Sequence, residues 1–426
     1  MPIQMEIPNL DSSNRLFMTW VPIRVRVRQV GVQPTDPAVT VTMRNSGAVG
    51  QFWFSRNRAN NGADQVTITV PADGSPAEFW MAGRFRNPSR AFGDAAIAVI
   101  QNDTLLGSIP AMVRMRKNAN TLTDGERDSF LNALSVLNGQ GTGRFRDLRA
   151  MHVAVADGEA HRNSGFPSWH RAYLLDLERE LQAIDPEVSL HYWRFDQAAD
   201  YLFTQDFIGA PGTVRPVFSV GHPLANWSTE LSGIRRFLNF APDQAPPPLV
   251  VDRLGRTEAI RDEAATLDLG SAFGTFRSIY ERNPHGFAHG SFRGDSDISQ
   301  IHTAARDPLF FMLHSNVDRL WAKWQWFHRR SNRNVAETYL QGGRIGHNLD
   351  DTMWPWNGET GNPRPPTAPG GELQSSPLTD LPGSSPTVAQ MIDFMNVTGQ
   401  TDEPSGGDLG FCYDDVPFEM EVGAIT

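Results

Sequence analysis

The stretch His161–Glu178, HRNSGFPSWHRAYLLDLE, decides how this chain is read. Two histidines, His161 and His170, have eight residues between them, and Gly165 and Pro167 in the interval mark a short loop. Past that loop the pattern turns helical. Trp169, Tyr173, Leu174, Leu177 and Leu181 recur at the three-and-four spacing of one buried face. His170 falls on the same face, one turn before Leu174 and two before Leu177. An imidazole aimed into a core needs a partner for each ring nitrogen. A backbone carbonyl serves a lone core histidine, but this histidine is not alone.

Working outward, His152 precedes His161, again with eight residues between. Downstream, His285 and His289 are four apart, so a helix places both on one face. Then Asp307–Asp318 reads DPLFFMLHSNVD, and Phe310, His314, Val317, Trp321 and Trp324 form an apolar stripe with His314 at a core position. The result is two sets of three, His152/His161/His170 and His285/His289/His314. Three neutral imidazoles and no thiolate favour copper or zinc over harder cations. A hydrolytic zinc pair normally recruits carboxylates, and none stands at ligand spacing here. All-nitrogen ligation suits copper cycling between two oxidation states.

These segments closely resemble the two copper-binding signatures of the tyrosinase family of type 3 copper proteins, which includes tyrosinases, catechol oxidases, o-aminophenol oxidases and molluscan haemocyanins. The first signature is carried by His161, Phe166-Pro167-Ser168-Trp169-His170-Arg171, Leu174 and Glu178, and the second by Asp307-Pro308, Phe310-Phe311, His314 and Asp318. The resemblance implies a binuclear centre, with one copper on His152, His161 and His170 and the other on His285, His289 and His314. It implies dioxygen as co-substrate and a small phenolic compound as substrate.

The same resemblance assigns further positions. Glu281, in Glu-x-x-Pro-His, matches the residue that orients a water molecule in plant-type members, and is the candidate for helping to deprotonate a monophenol, whose solution pKa is near 10. Many efficient tyrosinases carry Asn directly after the first ligand of the second site, and here that position is Gly286. Glycine cannot hold the water with Glu281, so the reading leans toward oxidation of o-diphenols or o-aminophenols, with ortho-hydroxylation of monophenols weaker. Gly290, after His289, leaves room at the site mouth. Asn316, Asp318 and Arg319 are expected to support the ligands from behind. Asp318, one turn past His314, is expected to pair with Arg171 or another buried Arg, and Arg171 to orient carboxylates rather than touch substrate. The position before His314, commonly a second His, is Leu313. Some relatives tie a Cys to a copper ligand, but the single Cys412 lies in the closing segment, so no such link is expected.

The rest of the chain frames this centre. Residues 1–115 read as a small all-β sandwich: Ile23, Val25 and Val27 alternate with Arg24, Arg26 and Arg28, and Val39, Val41, Met43 and Val66, Ile68, Val70 alternate likewise. This region has no histidine, and its role is read as packing or dimerisation, with a shield over the site or a partner module as the alternative. The arginine row is read as a solvated face. Thr123 and Glu126 form a capping box, followed by Phe130, Leu134 and Leu137 at helical spacing. They open a mainly α catalytic domain, 118–416, whose helical bundle would hold the centre, and residues 417–426 form a tail. Within it, His191-Tyr192-Trp193-Arg194-Phe195-Asp196 stands where relatives carry a Pro-Tyr-Trp-Asp-Trp-like segment, and His191 is not expected to be a ligand. Residues 203–250, with Pro246-Pro247-Pro248 and a structural His222, read as a long irregular loop. Gly410–Asp415 resembles the tyrosine-containing segment that closes the catalytic core.

Composition narrows the function classes. The formal net charge of −10 argues against nucleic acid. No stretch reaches the ~18 apolar residues of a membrane span. With one cysteine and no visible leader, the cytoplasm is the default location, secretion of a processed form being left open, as is homo-oligomerisation. By resemblance, a separate C-terminal shielding domain is expected to be absent. Two other functions compete with phenol oxidation: a haemocyanin-like oxygen carrier with a covered site, and a pathway-specific tailoring oxidase.

Overall fold

The computed structural model describes residues 3–33, 35–58, 62–139, 143–154, 158–229, 233–244, 249–251, 257–374, 385–399 and 407–419. Pro246-Pro247-Pro248 lies outside them. The chain forms a β-rich N-terminal region and a helical region with two histidine triads. It divides into two compact units: Met1–Arg116 with Asp393–Thr426, and Lys117–Gln374 with Pro382–Ile392.

The first unit holds β1 (Ile3–Glu6), β2 (Leu16–Met18), β3 (Ile23–Gln29), β4 (Val39–Asn45), β5 (Phe52–Ser55), β6 (Gln65–Val70), β7 (Ala77–Gly83), β8 (Ala95–Gln101) and β9 (Thr104–Val113). They make two sheets, ordered β1-β3-β7-β5 and β2-β9-β8-β4-β6, antiparallel except for the β2–β9 pair. The two-residue period explains them. In β3, Ile23, Val25 and Val27 are buried while Arg24, Arg26 and Arg28 face outward. That outward row is tied across strands, with Arg26 paired to Glu78 at 2.9 Å and Arg28 to Glu6 at 3.2 Å.

The closing segment packs with this unit. The Arg116 guanidinium lies 3.7 Å from the Phe411 ring centroid and bonds the Tyr413 hydroxyl, and Trp20 Nε1 donates to the Tyr413 carbonyl at 2.9 Å. The sequence reading runs the helical domain to 416. The structure instead groups residues from Asp393 onward with the strands. The physical reason is this buried aromatic and cationic cluster, formed between positions some 300 residues apart in sequence.

The second unit holds α1 (Asp124–Gly139), α2 (Arg144–Ala154), α3 (Gly165–Ile184), a short hairpin of β10 (Leu249–Val251) and β11 (Thr257–Ala259), α4 (Glu263–Leu267), α5 (Phe273–Tyr280), α6 (Phe287–Gly290), α7 (Leu309–His328) and α8 (Val388–Ile392). The capping box that opens α1 is reciprocal: Thr123 N–H donates to Glu126 Oε2 at 2.9 Å and Glu126 N–H to Thr123 Oγ1 at 3.3 Å. Just ahead of α7, Asp307 Oδ1 accepts the Leu309 N–H at 2.9 Å while Arg236 neutralises it. Helices α3 and α7 pack against each other and are buried on almost every side. The sequence suggested one apolar face for each, and that reading is too narrow. Arg171, Asp176, Glu178, Asp318 and Arg319 are all buried, and buried charge of this kind requires partners. Among the described residues, no helix is long and apolar enough to cross a membrane.

Candidate metal centre

The six predicted histidines come together. In each triad, His152/His161/His170 and His285/His289/His314, one ring nitrogen from every residue lies within 4.8 Å of the others. Helices α2, α3, α6 and α7 carry His152, His170, His289 and His314, while His161 sits in the loop before α3. His285 lies in the wound turn Glu281–Gly286 that leads into α6. The chain departs from helical geometry at Asn283 (φ −137°, ψ 112°), yet the four-residue spacing survives, and the His285 and His289 ring centroids are 4.9 Å apart. The two triads adjoin: His170 and His314 stack at 4.4 Å with planes 10° apart.

Hydrogen bonds set which nitrogen each ring offers. Nδ1 of His170 contacts the Phe166 carbonyl at 2.8 Å, and Nδ1 of His285 the Glu281 carbonyl at 2.8 Å. Nδ1 of His289 lies 2.6 Å from the Ile298 carbonyl, and that of His152 lies 3.2 Å from the Ile301 carbonyl. A carbonyl only accepts, so each Nδ1 carries the proton and each Nε2 presents a lone pair. The Nε2 atoms of His152, His170 and His285 are buried with no hydrogen-bond partner. Buried polar atoms left this way cost free energy unless something binds them. His314 is arranged differently, its Nε2 lying 3.2 Å from His289 Nε2 and its Nδ1 unpartnered.

Protonation is suppressed at these rings. Burial first, then the repulsion of neighbouring imidazoles, holds His152, His170, His285 and His314 well below the usual imidazole range. Burial pushes His289 down to about 4. Those five rings are therefore held as neutral imidazole, the form that binds a metal. Phe310 fills the angle between the sets, its ring centroid 4.2 Å from His314 and 5.0 Å from His152.

A cavity of about 280 Å³ opens onto the triads, lined by His152, His161, His285 and His289 together with Arg162, Glu281, Gly286 and Ile298 among others. Glu281 lines this cavity. Both of its carboxylate oxygens are engaged: Oε1 accepts the Arg162 N–H at 2.5 Å, and Oε2 pairs with Arg277 at 2.9 Å. Burial raises the Glu281 carboxyl, with those bonds pulling the other way. Arg162 is left-handed, at φ +64°, directly after His161. Such a backbone costs about 1–2 kcal/mol in a residue with a side chain, and Glu281 holds it in place. Gly286 has open space, the nearest atom to an added Cβ being the Glu281 carbonyl oxygen at 3.5 Å.

The remaining predicted residues lie behind the cavity. Arg171 Nε donates to Asp318 Oδ1 at 2.7 Å with both side chains buried, and the guanidinium lies 3.8 Å from the Trp321 ring centroid. This clamp joins α3 to α7, the helices of His170 and His314. Asn316 Oδ1 accepts from Arg319, which pairs with Glu263. Gly290 ends α6 and is not among the residues lining the cavity. His191 packs edge-on to Phe130 and accepts the Lys117 N–H, away from both triads. His222 is also structural, its Nδ1 accepting the Leu224 N–H.

A family model described as the common central domain of tyrosinase matches residues 142–327. Tyrosinase of Streptomyces antibioticus is 31% identical over 276 residues, covering 58% of this chain and 94% of that one. Tyrosinase of Streptomyces glaucescens is 32% identical over 271 residues, covering 57% and 92%. The chain belongs to the tyrosinase family. A hemocyanin G-type of Enteroctopus dofleini, units Oda to Odg, is 28% identical over 250 residues, which cover 55% of this chain and 8% of that one. Tyrosinase-family membership brings a binuclear copper centre, and the two histidine triads fit it in number and chemistry. Sequence reasoning missed the groups that hold this tyrosinase-type centre from outside: the carbonyls of Ile298 and Ile301, and His347 beneath the His161 loop. A carbonyl has no sequence signature. His347 is an ordinary histidine in a loop more than 180 residues from the segment it bonds.

Proposed function

We propose that this protein is a copper-dependent polyphenol oxidase that uses dioxygen to convert o-diphenols or o-aminophenols to quinone-type products. The observation that carries the reading is the pair of histidine triads side by side beneath one cavity. His152, His161 and His170 would hold one copper and His285, His289 and His314 the other. When bound there, the two ions supply the redox relay between the phenolic substrate and dioxygen.

The chain's own residues do the rest. The carbonyls at Phe166, Glu281, Ile298 and Ile301 keep four Nε2 lone pairs aimed inward. Phe310 and the buried faces of α3 and α7 exclude water from behind the rings. Ile298 and the small residues Gly286 and Ala304 shape a cavity of a size suited to a single aromatic ring. Glu281 is the proton-handling group of that cavity. Each carboxylate oxygen already accepts one bond and retains a second acceptor site for a water or a phenol hydroxyl. With glycine at 286 there is no side-chain amide opposite it, which supports diphenol over monophenol turnover.

We read the strand-rich unit, Met1–Arg116 with the segment from Asp393, as a β-sandwich domain and the helical unit, Lys117–Gln374 with Pro382–Ile392, as the catalytic domain, with cytoplasmic location as the default. The oxygen-carrier and tailoring-oxidase readings are less well supported, the hemocyanin relative being matched at lower identity than the tyrosinases. The reading is tested by supplying a simple catechol to the copper-loaded chain: quinone formation coupled to dioxygen uptake supports it, and a copper-replete chain without turnover contradicts it.

A further inference from the structure

Within its own triad His161 differs from His152 and His170 in that it lies on a loop, so something outside a helix must fix it. We infer that His347 is the positioning residue that sets His161 for its metal, an inference that rests on the copper reading above. The imidazole of His347 is 1% exposed and bonds both ends of the loop that carries His161. Its Nδ1 accepts the Gly165 N–H at 2.7 Å, and its Nε2 lies 3.2 Å from the Gly158 carbonyl. One neutral tautomer satisfies both contacts, with the proton on Nε2 donated to the carbonyl and the lone pair on Nδ1 receiving the amide. A single ring thus spans the loop from Gly158 to Gly165, and His161 lies within that span.

The packing around this ring is tight. A Cβ at Gly165 would stand 2.5 Å from His347 Nδ1, 2.8 Å from the Gly346 carbonyl oxygen and 2.9 Å from the Glu159 carbonyl oxygen. Gly346, at φ +79°, would place a Cβ 2.5 Å from the Glu159 side chain. Glycine at 165 and 346 is what lets the His347 segment lie against the loop. His347 itself is anchored by its N–H to Asp351 Oδ2 at 3.2 Å. Other tethers of the loop among the described residues each hold one point of it. Buried Glu159 pairs with Arg364 at 2.6 Å and accepts the Trp354 N–H at 3.1 Å, and Arg162 N–H donates to Glu281. His347, by contrast, bonds both Gly158 and Gly165 and so closes the loop on itself.

The readout is copper per chain, with the second triad as internal control. Copper is added to the metal-free full chain, and stoichiometry and affinity are measured for wild type, His347→Leu, His347→Asn and Gly165→Ala. Wild type is expected to take two coppers. His347→Leu removes both bonds, and its affinity for one copper is expected to fall about 10–100-fold while the other is kept at wild-type affinity. His347→Asn keeps an acceptor oxygen where Nδ1 stood and is expected to restore most of the loss. Gly165→Ala, which pushes the imidazole away without removing it, is expected to weaken the same one copper. Two coppers at wild-type affinity in His347→Leu would overturn the inference. So would equal loss of both coppers in Gly165→Ala while its far-ultraviolet circular dichroism stays that of wild type. A wild-type chain that takes no copper is a different result, because it removes the copper reading itself.

Discussion

At the scale of single residues, the centre depends on which ring nitrogen is left bare. His285 gives its Nδ1 proton to the Glu281 carbonyl and has an unpartnered Nε2. His285→Ala therefore deletes one of three donors from one set only. The chain is expected to retain about one copper in place of two, measured by metal analysis after dialysis, and to lose turnover. Glu281 is separable from the ligands because its carboxylate, not its carbonyl, faces the cavity chemistry. Glu281→Gln keeps an acceptor for the Arg162 N–H but removes the charge opposite Arg277. A drop of about 10² in kcat for a monophenol, with an o-diphenol changed far less, is expected from the loss of a general base. Unchanged monophenol turnover would take Glu281 out of the mechanism. At this scale residue type and spacing pick out two sets of three histidines, and the resemblance of the two signatures is what makes them candidate ligands. The carbonyls that orient them were not, because every residue has one, and only folding decides which come within 3 Å of an imidazole.

At the scale of elements, α3 and α7 must hold two ligands in register, and their buried clamp is Arg171–Asp318. Breaking a buried pair by removing one partner leaves an uncompensated charge, a cost of about 3–5 kcal/mol. Asp318→Ala should lower the stability of the metal-free chain by that amount in urea unfolding, and a midpoint shift worth under about 1 kcal/mol would contradict the clamp. The pairing was legible in the sequence because the two residues lie in the two signatures. The short segment from Asp297 to Arg306 was not, although it supplies the Ile298 and Ile301 carbonyls to two ligands. Its shape depends on the buried Arg306–Asp297 pair at 3.1 Å and on the Arg235 N–H to Asp297 bond at 2.8 Å. Neither contact follows from helical or strand periodicity. The strands of the first region were legible for the opposite reason: a two-residue alternation is local, and the observed sheets follow it residue by residue in β3, β4 and β6.

At the scale of the whole molecule, one contribution to stability against pH comes from a buried imidazole outside the centre. His191 is held down to about 3 by burial and then by Lys117. Unfolded, it takes a proton below about pH 6.5. Folded, it stays neutral until about pH 3, so between those limits the unfolded state binds more protons and stability falls as pH falls. By pH 5 the group alone contributes a loss of roughly 2 kcal/mol relative to pH 6.5 and above. His191→Asn keeps an acceptor for the Lys117 N–H and does not titrate, so its stability should decline with acid less steeply by about that amount. Identical pH slopes in wild type and variant would contradict the assignment. The grouping of residues from Asp393 with the strands belongs to this scale too, and was hidden in the sequence because Arg116 meets Phe411 and Tyr413 only after the chain has closed on itself.

The most direct test of the central claim is dioxygen uptake by the copper-loaded chain given a simple catechol. Each catechol yields two electrons on becoming a quinone and each dioxygen takes four on becoming water, so one dioxygen should be consumed for every two quinones formed. Uptake should vanish on removing copper with a chelator and return when copper is restored. A chain carrying two coppers per molecule that consumes no dioxygen with catechol or with an o-aminophenol would contradict the oxidase account.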